Sequence, residues 1–211
     1  MSSASPTGTT QPAAAQGRVR LRRFAALAVP ATVAGGALVV LTAQGVLAAQ
    51  FAISGMPFTV TATQLTADGM EQYGGIDNTA PNSPNLADAN GQQPVIVSAI
   101  RSAQLTDLCQ SVSLGFVNLV IRAGTGSKPV TASTLVTDSD QISGDATFTN
   151  LAVDQDASTL DEVPNVAGGL GTFGQQADHV VIKNLRQNNW ATTASTFTLP
   201  GMSISFSDNA C

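Results

Sequence analysis

The chain has 211 residues, room for one domain with appendages or for two small domains, and only 11% of them are charged, well under the usual share for a soluble protein. Of nine basic residues, Arg18, Arg20, Arg22 and Arg23 precede residue 24, whereas all fourteen acids lie from Asp68 onward, so the part beyond residue 50 carries −9. That balance repels phosphate backbones, which excludes nucleic acid as a partner, and it offers no electrostatic attraction to anionic headgroups.

Residues 1–17 are Ser, Thr, Ala, Gln, Pro and Gly with few apolar groups, the composition of a disordered tail. Residues 18–49 comprise a basic flank followed by a transmembrane or signal segment. From Phe24 to Ala43 no residue is charged, and as a helix that run covers about 30 Å, the thickness of a hydrocarbon core. Four arginines before it and an acidic domain after it orient the N-terminus inside and the domain outside the cytoplasmic membrane. The length of the run favours a retained anchor. The small residues around Val46-Leu47-Ala48 also suit cleavage near Ala48 and secretion.

Residues 50–211 read as one exported β-rich domain. Phe58, Val60 and Ala62 alternate with threonines, and Met202, Ile204 and Phe206 alternate with serines, which predicts strands with one buried and one wet face. Residues 95–100 and 114–121 are apolar on both faces and predict covered strands. Further strands are expected at 130–136, 146–153, 179–185 and 194–199, with long loops at 74–94 and 164–177, where Gly, Asn and Pro collect. No stretch after residue 50 shows a 3.6-residue apolar period. The expected fold is all-β, a single sandwich or a strongly curved antiparallel sheet, preceded by one N-terminal transmembrane or signal helix.

A polar residue followed by Leu closes five β-prone runs, at Gln64-Leu65, Gln104-Leu105, Thr134-Leu135, Asn150-Leu151 and Asn184-Leu185. Their spacing has no fixed period, so they imply no solenoid but strands that each place one Leu in a shared core.

Candidate chemistry is sparse. Cys109 and Cys211 are the two cysteines, and outside the membrane an even count implies a disulfide between them. The single histidine, His179, stands beside Asp178 before an apolar run, without a G-x-S-x-G elbow anywhere in the chain, so no catalytic residue is assigned. One His and two paired cysteines leave too few ligands for zinc, and no cofactor motif is present. Asp138, Asp140 and Asp145 resemble a calcium loop only loosely and read as solvated turn carboxylates. Arg101, Arg122 and Arg186 are scarce cations expected to pair with acids. Tyr73 and Trp190 are the amphipathic aromatics, with Trp190 in an Asn-rich turn context at the edge of the core.

The segments Met70-Glu71-Gln72-Tyr73-Gly74-Gly75, Asp107-Leu108-Cys109-Gln110-Ser111, Gly144-Asp145-Ala146-Thr147-Phe148, Asp156-Ala157-Ser158-Thr159-Leu160, Phe173-Gly174-Gln175-Gln176-Ala177-Asp178 and Asn184-Leu185-Arg186 through Trp190-Ala191-Thr192-Thr193 carry a likeness that runs from about Arg22 to the end. In them the chain resembles an uncharacterised family of exported, N-terminally anchored proteins of filamentous actinobacteria, some of whose members are labelled cholesterol esterase. The resemblance implies a membrane segment, a cysteine near the C-terminus and a small multi-span membrane protein as partner. It transfers no catalytic residue. The function expected is that of a non-enzymatic envelope protein that binds an apolar ligand, such as a lipid, or a membrane partner; the alternatives are a lipid or sterol esterase and a purely structural surface protein.

Overall fold

The computed structural model describes residues 52–86 and 91–211. The tail, the basic flank and the expected N-terminal helix lie outside the described residues. The described part is all-β, with no α-helix and one turn of 3-10 helix at Ala157–Thr159. Its strands are β1 Ala52–Ile53, β2 Phe58–Thr79, β3 Gln92–Thr106, β4 Leu108–Ser113, β5 Asn118–Ala123, β6 Val130–Thr149, β7 Ala152–Asp156, β8 Phe173–Thr193, β9 Thr196–Thr198 and β10 Ser203–Ser207.

They behave as four long runs. β2 is the first. β3 and β4, parted only by Asp107, both pair with β2 and form the second. β5, β6 and β7 make the third, and β8, β9 and β10 the fourth, antiparallel to it throughout. The sheet then closes, because residues 58–62 of β2 also pair with 185–189 of β8. Among the described residues the strands therefore form one sheet of ten. The strongly curved sheet is the form realised, curled into a small barrel with an open extension, and the two facing sheets of a sandwich are not. Right-handed twist accumulated over strands of 20 residues and more brings the sheet's edges together.

Strands this long must bend, and three of the five polar-Leu pairs mark where. Thr134, Asn150 and Asn184 have φ of 45°, 54° and 54°, and Asp107, opposite the Gln64 region, has 53°. A left-handed residue inserts a corner and moves the following side chains to the other face. Burial follows this rule. In β6, Val130 and Ala132 are buried before the corner and Leu135 and Thr137 after it; in β8, Val180 and Ile182 before and Leu185 and Gln187 after. Leu65, Leu105, Leu135 and Leu185 all enter one core with Val60, Ile100, Val130 and Val180, whereas Leu151 is exposed.

The expected loop at 74–94 is strand at both ends and turns only between Thr79 and Gln92. Gly75 is there for close approach: a Cβ at that position would lie 2.8 Å from Val97 Cγ2 on β3. The expected loop at 164–177 gives way to β8 at Phe173. Residues 157–172 form a strap across the outer face of β2 and β3, where Tyr73, Ala157 and Leu160 make a second, smaller core.

Candidate functional site

Two faces of β2 carry the features that could do chemistry. The inner face holds Met70, Gln72 and Gly74. Opposite them stand Ile96 of β3, Ile142, Ala146 and Phe148 of β6, and Phe173, Gln175 and Ile182 of β8, and these residues, with Tyr73, Ser143 and Gly144, line an open cavity of about 490 Å³. That volume lies in the range of small-molecule sites. The lining contains no charged side chain. Met70 and Ile182 belong to the main core, with Ile142 and Phe148 packed against it, so the cavity is the core continued to the surface.

The cavity opens at a seam. Main-chain bonds join β2 to β8 only at 58–62. Beyond that ladder the same register continues through side chains: Asp68 meets His179, Oδ1 to Nδ1, at 2.7 Å, and Gln175 Nε2 donates to Gln72 Oε1 at 2.7 Å. Gln72 Nε2 in turn donates to Ser98 Oγ at 2.9 Å. The polar groups at the mouth are thus tied to one another.

The outer face of β2 carries Glu71 and Tyr73 under the strap. Glu71 is fully buried, with 0% exposure, and its Oε1 accepts the Val163 N–H at 2.6 Å, while Oε2 has no partner among the described residues. Burial pushes its carboxyl up to about 7, against the lowering effect of the Val163 backbone bond and the nearby Glu162 backbone. Asp138 of β6 is likewise raised to about 7 by burial and by the charge of Asp77, itself raised by burial. Tyr73 is pushed up to about 12 by burial and the neighbouring Glu71 and Asp138. Asp156 ties both ends of the strap, accepting from Ser158 N at 3.0 Å, Ser158 Oγ at 2.7 Å and Gly171 N at 2.8 Å, and these bonds lower its carboxyl.

The residues singled out in the sequence are dispersed. Cys109 and Cys211 are joined by a disulfide, with Cα atoms 5.8 Å apart, and Cys211 N donates to Ser111 Oγ at 3.0 Å, which pins the chain end behind β4. His179 sits inside β8, opposite Thr149, rather than at a strand start, and Asp68 is its hydrogen-bond partner. The reading of Asp138, Asp140 and Asp145 as turn carboxylates is corrected: all three lie in β6. Asp138 is buried there, while Asp140 accepts from Asn188 Nδ2 and Trp190 Nε1, each at 2.9 Å to its nearer oxygen. Trp190 is therefore a strand residue of β8, not part of a turn. Arg101 pairs with Glu162 at 3.5 Å, but Arg186 donates to the Cys211 carbonyl at 2.9 Å instead of to an acid, and Arg122 has no ion pair among the described residues. Among the described residues no group of three His, Cys, Asp or Glu is placed to hold a metal, and no helix is long and apolar enough to cross a membrane. Sequence reasoning missed Glu71, Gln72 and Gln175. The one signal available was the acid Glu71 between Met70 and Tyr73.

Over residues 54–211 the chain matches a family described as a family of unknown function (DUF6230), and it belongs to that family. Comparisons with curated proteins and with solved structures gave no match.

Proposed function

We propose that this member of a family of unknown function is a binding module for an uncharged apolar molecule, held outside the cytoplasmic membrane by the segment at residues 24–43. The observation that carries the reading is the open cavity of about 490 Å³, lined by Met70, Ile142, Phe148, Phe173 and Ile182 and by no charged group. Burial of apolar surface supplies the affinity of such a site, and the few polar groups at its mouth supply orientation. Gln72 and Gln175 are the groups available for that here, and an ionised ligand group inside the lining would find no counter-charge.

The test is saturable binding of a solvent-sensitive apolar fluorophore to the full chain in detergent, with native mass spectrometry for a co-purified lipid. Ala146 is exposed and lines the cavity, so Ala146→Trp fills it without removing a core group. Binding that is lost in this variant supports the reading. Saturable binding that Ala146→Trp leaves unchanged, or no binding at all, refutes it.

A lipid esterase is the second reading, and the Asp68–His179 contact at the same seam favours it. Such an enzyme needs a nucleophile on the other ring nitrogen. Among the described residues no hydroxyl hydrogen-bonds to His179. Turnover of chromogenic esters that disappears in His179→Ala would replace the binding reading with this one.

A further inference from the structure

A second apolar feature lies away from the cavity. Residues directly opposite one another in an antiparallel ladder share a face. Phe206 of β10 pairs with Leu119 of β5, Leu119 with Val112 of β4, and Val112 with Phe58 of β2. The next row is Ile204, Ile121, Gln110 and Val60. One face of the β10–β5–β4–β2 region is therefore an apolar ladder. It is buried at Val60 and increasingly bare toward the edge, where Phe206 is 69% exposed and Ile204 55%. At the tip of the β4–β5 hairpin, next to the Phe206 row, Phe116 is 93% exposed beside Gly115. The opposite face of the same strands is covered: Cys109, Ser111 and Val120 are buried where the chain end is pinned by its disulfide.

The charge distribution says what this face suits. Residues 52–67, 108–121 and 187–207 supply most of the strands around it and carry no acid or base; Arg122 of β5 lies on the opposite face, in register with Ser203 and Cys109, and Asp208 follows β10 beside Asn118. Most of the domain's acids lie elsewhere along the chain, among them Asp68, Asp138, Asp154, Asp156, Asp161 and Glu162. An apolar face poor in charge, with protruding phenylalanines, on a domain of net −9, matches the water–hydrocarbon boundary of a bilayer better than a charged protein surface. Chain length keeps the domain within short reach of an anchor at residues 24–43, from which the chain enters the domain through β1, beside Asn78 and Thr79 of β2. From Ala43, the end of the uncharged segment, to Ala52 of β1 there are nine residues, at most about 30 Å of extended chain. Phe58, in the ladder itself, follows six residues later.

We propose that this face, with Phe116, Ile204 and Phe206 foremost, lies against the lipid bilayer and orients the domain with its acidic side toward solvent. The inference rests on the reading of residues 24–43 as a membrane anchor.

The test reconstitutes the full chain in phosphatidylcholine vesicles, with or without brominated acyl chains, and follows tryptophan emission in two variants, Phe116→Trp and Leu170→Trp. Leu170, 86% exposed on the strap among the acids, is the control. The unsubstituted chain gives the Trp190 background. Co-flotation with vesicles after alkaline wash reports the anchor separately. The expected result is co-flotation, loss of most of the Phe116→Trp emission to brominated lipid, and no loss for Leu170→Trp. Co-flotation with no quenching at either position overturns the docking face and leaves the anchor standing. Equal quenching at both positions overturns it too, because the domain then has no preferred face. A blue-shifted, unquenched Phe116→Trp signal together with a dimer mass assigns the face to a second copy. A chain that does not float refutes the anchor and the docking face together.

Discussion

Glu71→Gln should flatten the pH dependence of stability. Glu71 is fully buried, with one oxygen bonded to Val163 N and the other without a partner, and its pKa moves from 4.5 to about 7 on folding. The folded state therefore keeps a proton that the unfolded chain gives up between those two values. Below pH 4.5 both states hold it and Glu71 costs nothing through ionisation. As pH rises through that window the unfolded state is increasingly favoured, and above about 7 the loss levels off at about 3 kcal/mol. Gln cannot ionise and keeps the oxygen that accepts from Val163, but its NH2 occupies the position without a partner, at a pH-independent cost of about 1–3 kcal/mol. The variant should therefore be no more stable than the parent at pH 4.5 and should gain about 3 kcal/mol relative to it by pH 8. For a domain of this size that is roughly 6–12 °C in the difference of melting temperatures. Thermal unfolding of both full chains in detergent at pH 4.5, 6 and 8, disulfide intact, measures it. Asp138 contributes a slope to both proteins and cancels in the comparison. Melting curves separated by the same interval at every pH would refute the burial argument.

Two further predictions concern the scaffold. Replacing Cys109 and Cys211 together by Ser opens a loop closed across 102 positions and should lower the unfolding free energy by about 4–5 kcal/mol in the chain-entropy account; an unchanged urea midpoint would contradict it. Thr134 is a β-branched residue at φ 45°, a conformation that Asn tolerates better, so Thr134→Asn should stabilise by about 1 kcal/mol, and a lower melting temperature would show that the Thr side chain contributes more than its strain costs.

The all-β class was legible because Phe58, Val60 and Ala62 at one end and Ile204 and Phe206 at the other keep period two against Thr and Ser. The polar-Leu pairs were legible as recurrent but not as corners: Thr134, Asn150 and Asn184 look like strand ends because the residues that tolerate a left-handed backbone are also those that favour turns. Strand lengths were underestimated for the same reason. Gly74-Gly75 and the aspartates of β6 imitate loops while sitting in ladders. The cavity had no local signal, since it depends on β8 returning to β2, and Gln72 and Gln175 meet across 103 positions. Glu71 was hidden because a carboxylate on a strand normally faces water, and only the strap at 157–172 removes the water from it.

A corner within β2, at Gly69 with φ of 68°, also explains why one strand serves two sites. In a straight strand, period two would assign every second residue to a single core. Instead β2 contributes Val60, Ala62, Leu65, Ala67 and Met70 to the main core, and then Tyr73 to the second core on the opposite face. The far half of β6 continues past the main core with Ile142 and Phe148 only partly covered, and the far half of β2 faces it across the seam. The gap between them is apolar because both strands are still patterned for a core that no third layer fills. Glu71 lies on the other face of the same strand, under the strap. The two features therefore share β2 and meet at Tyr73, which belongs to the core under the strap and also lines the cavity. Filling the cavity with Ala146→Trp should leave the pH slope of stability as it is, and Glu71→Gln should leave the binding of an apolar probe as it is. If either substitution moved both readouts, β2 would be transmitting between its faces, and the cavity and the strap would have to be treated as one coupled element.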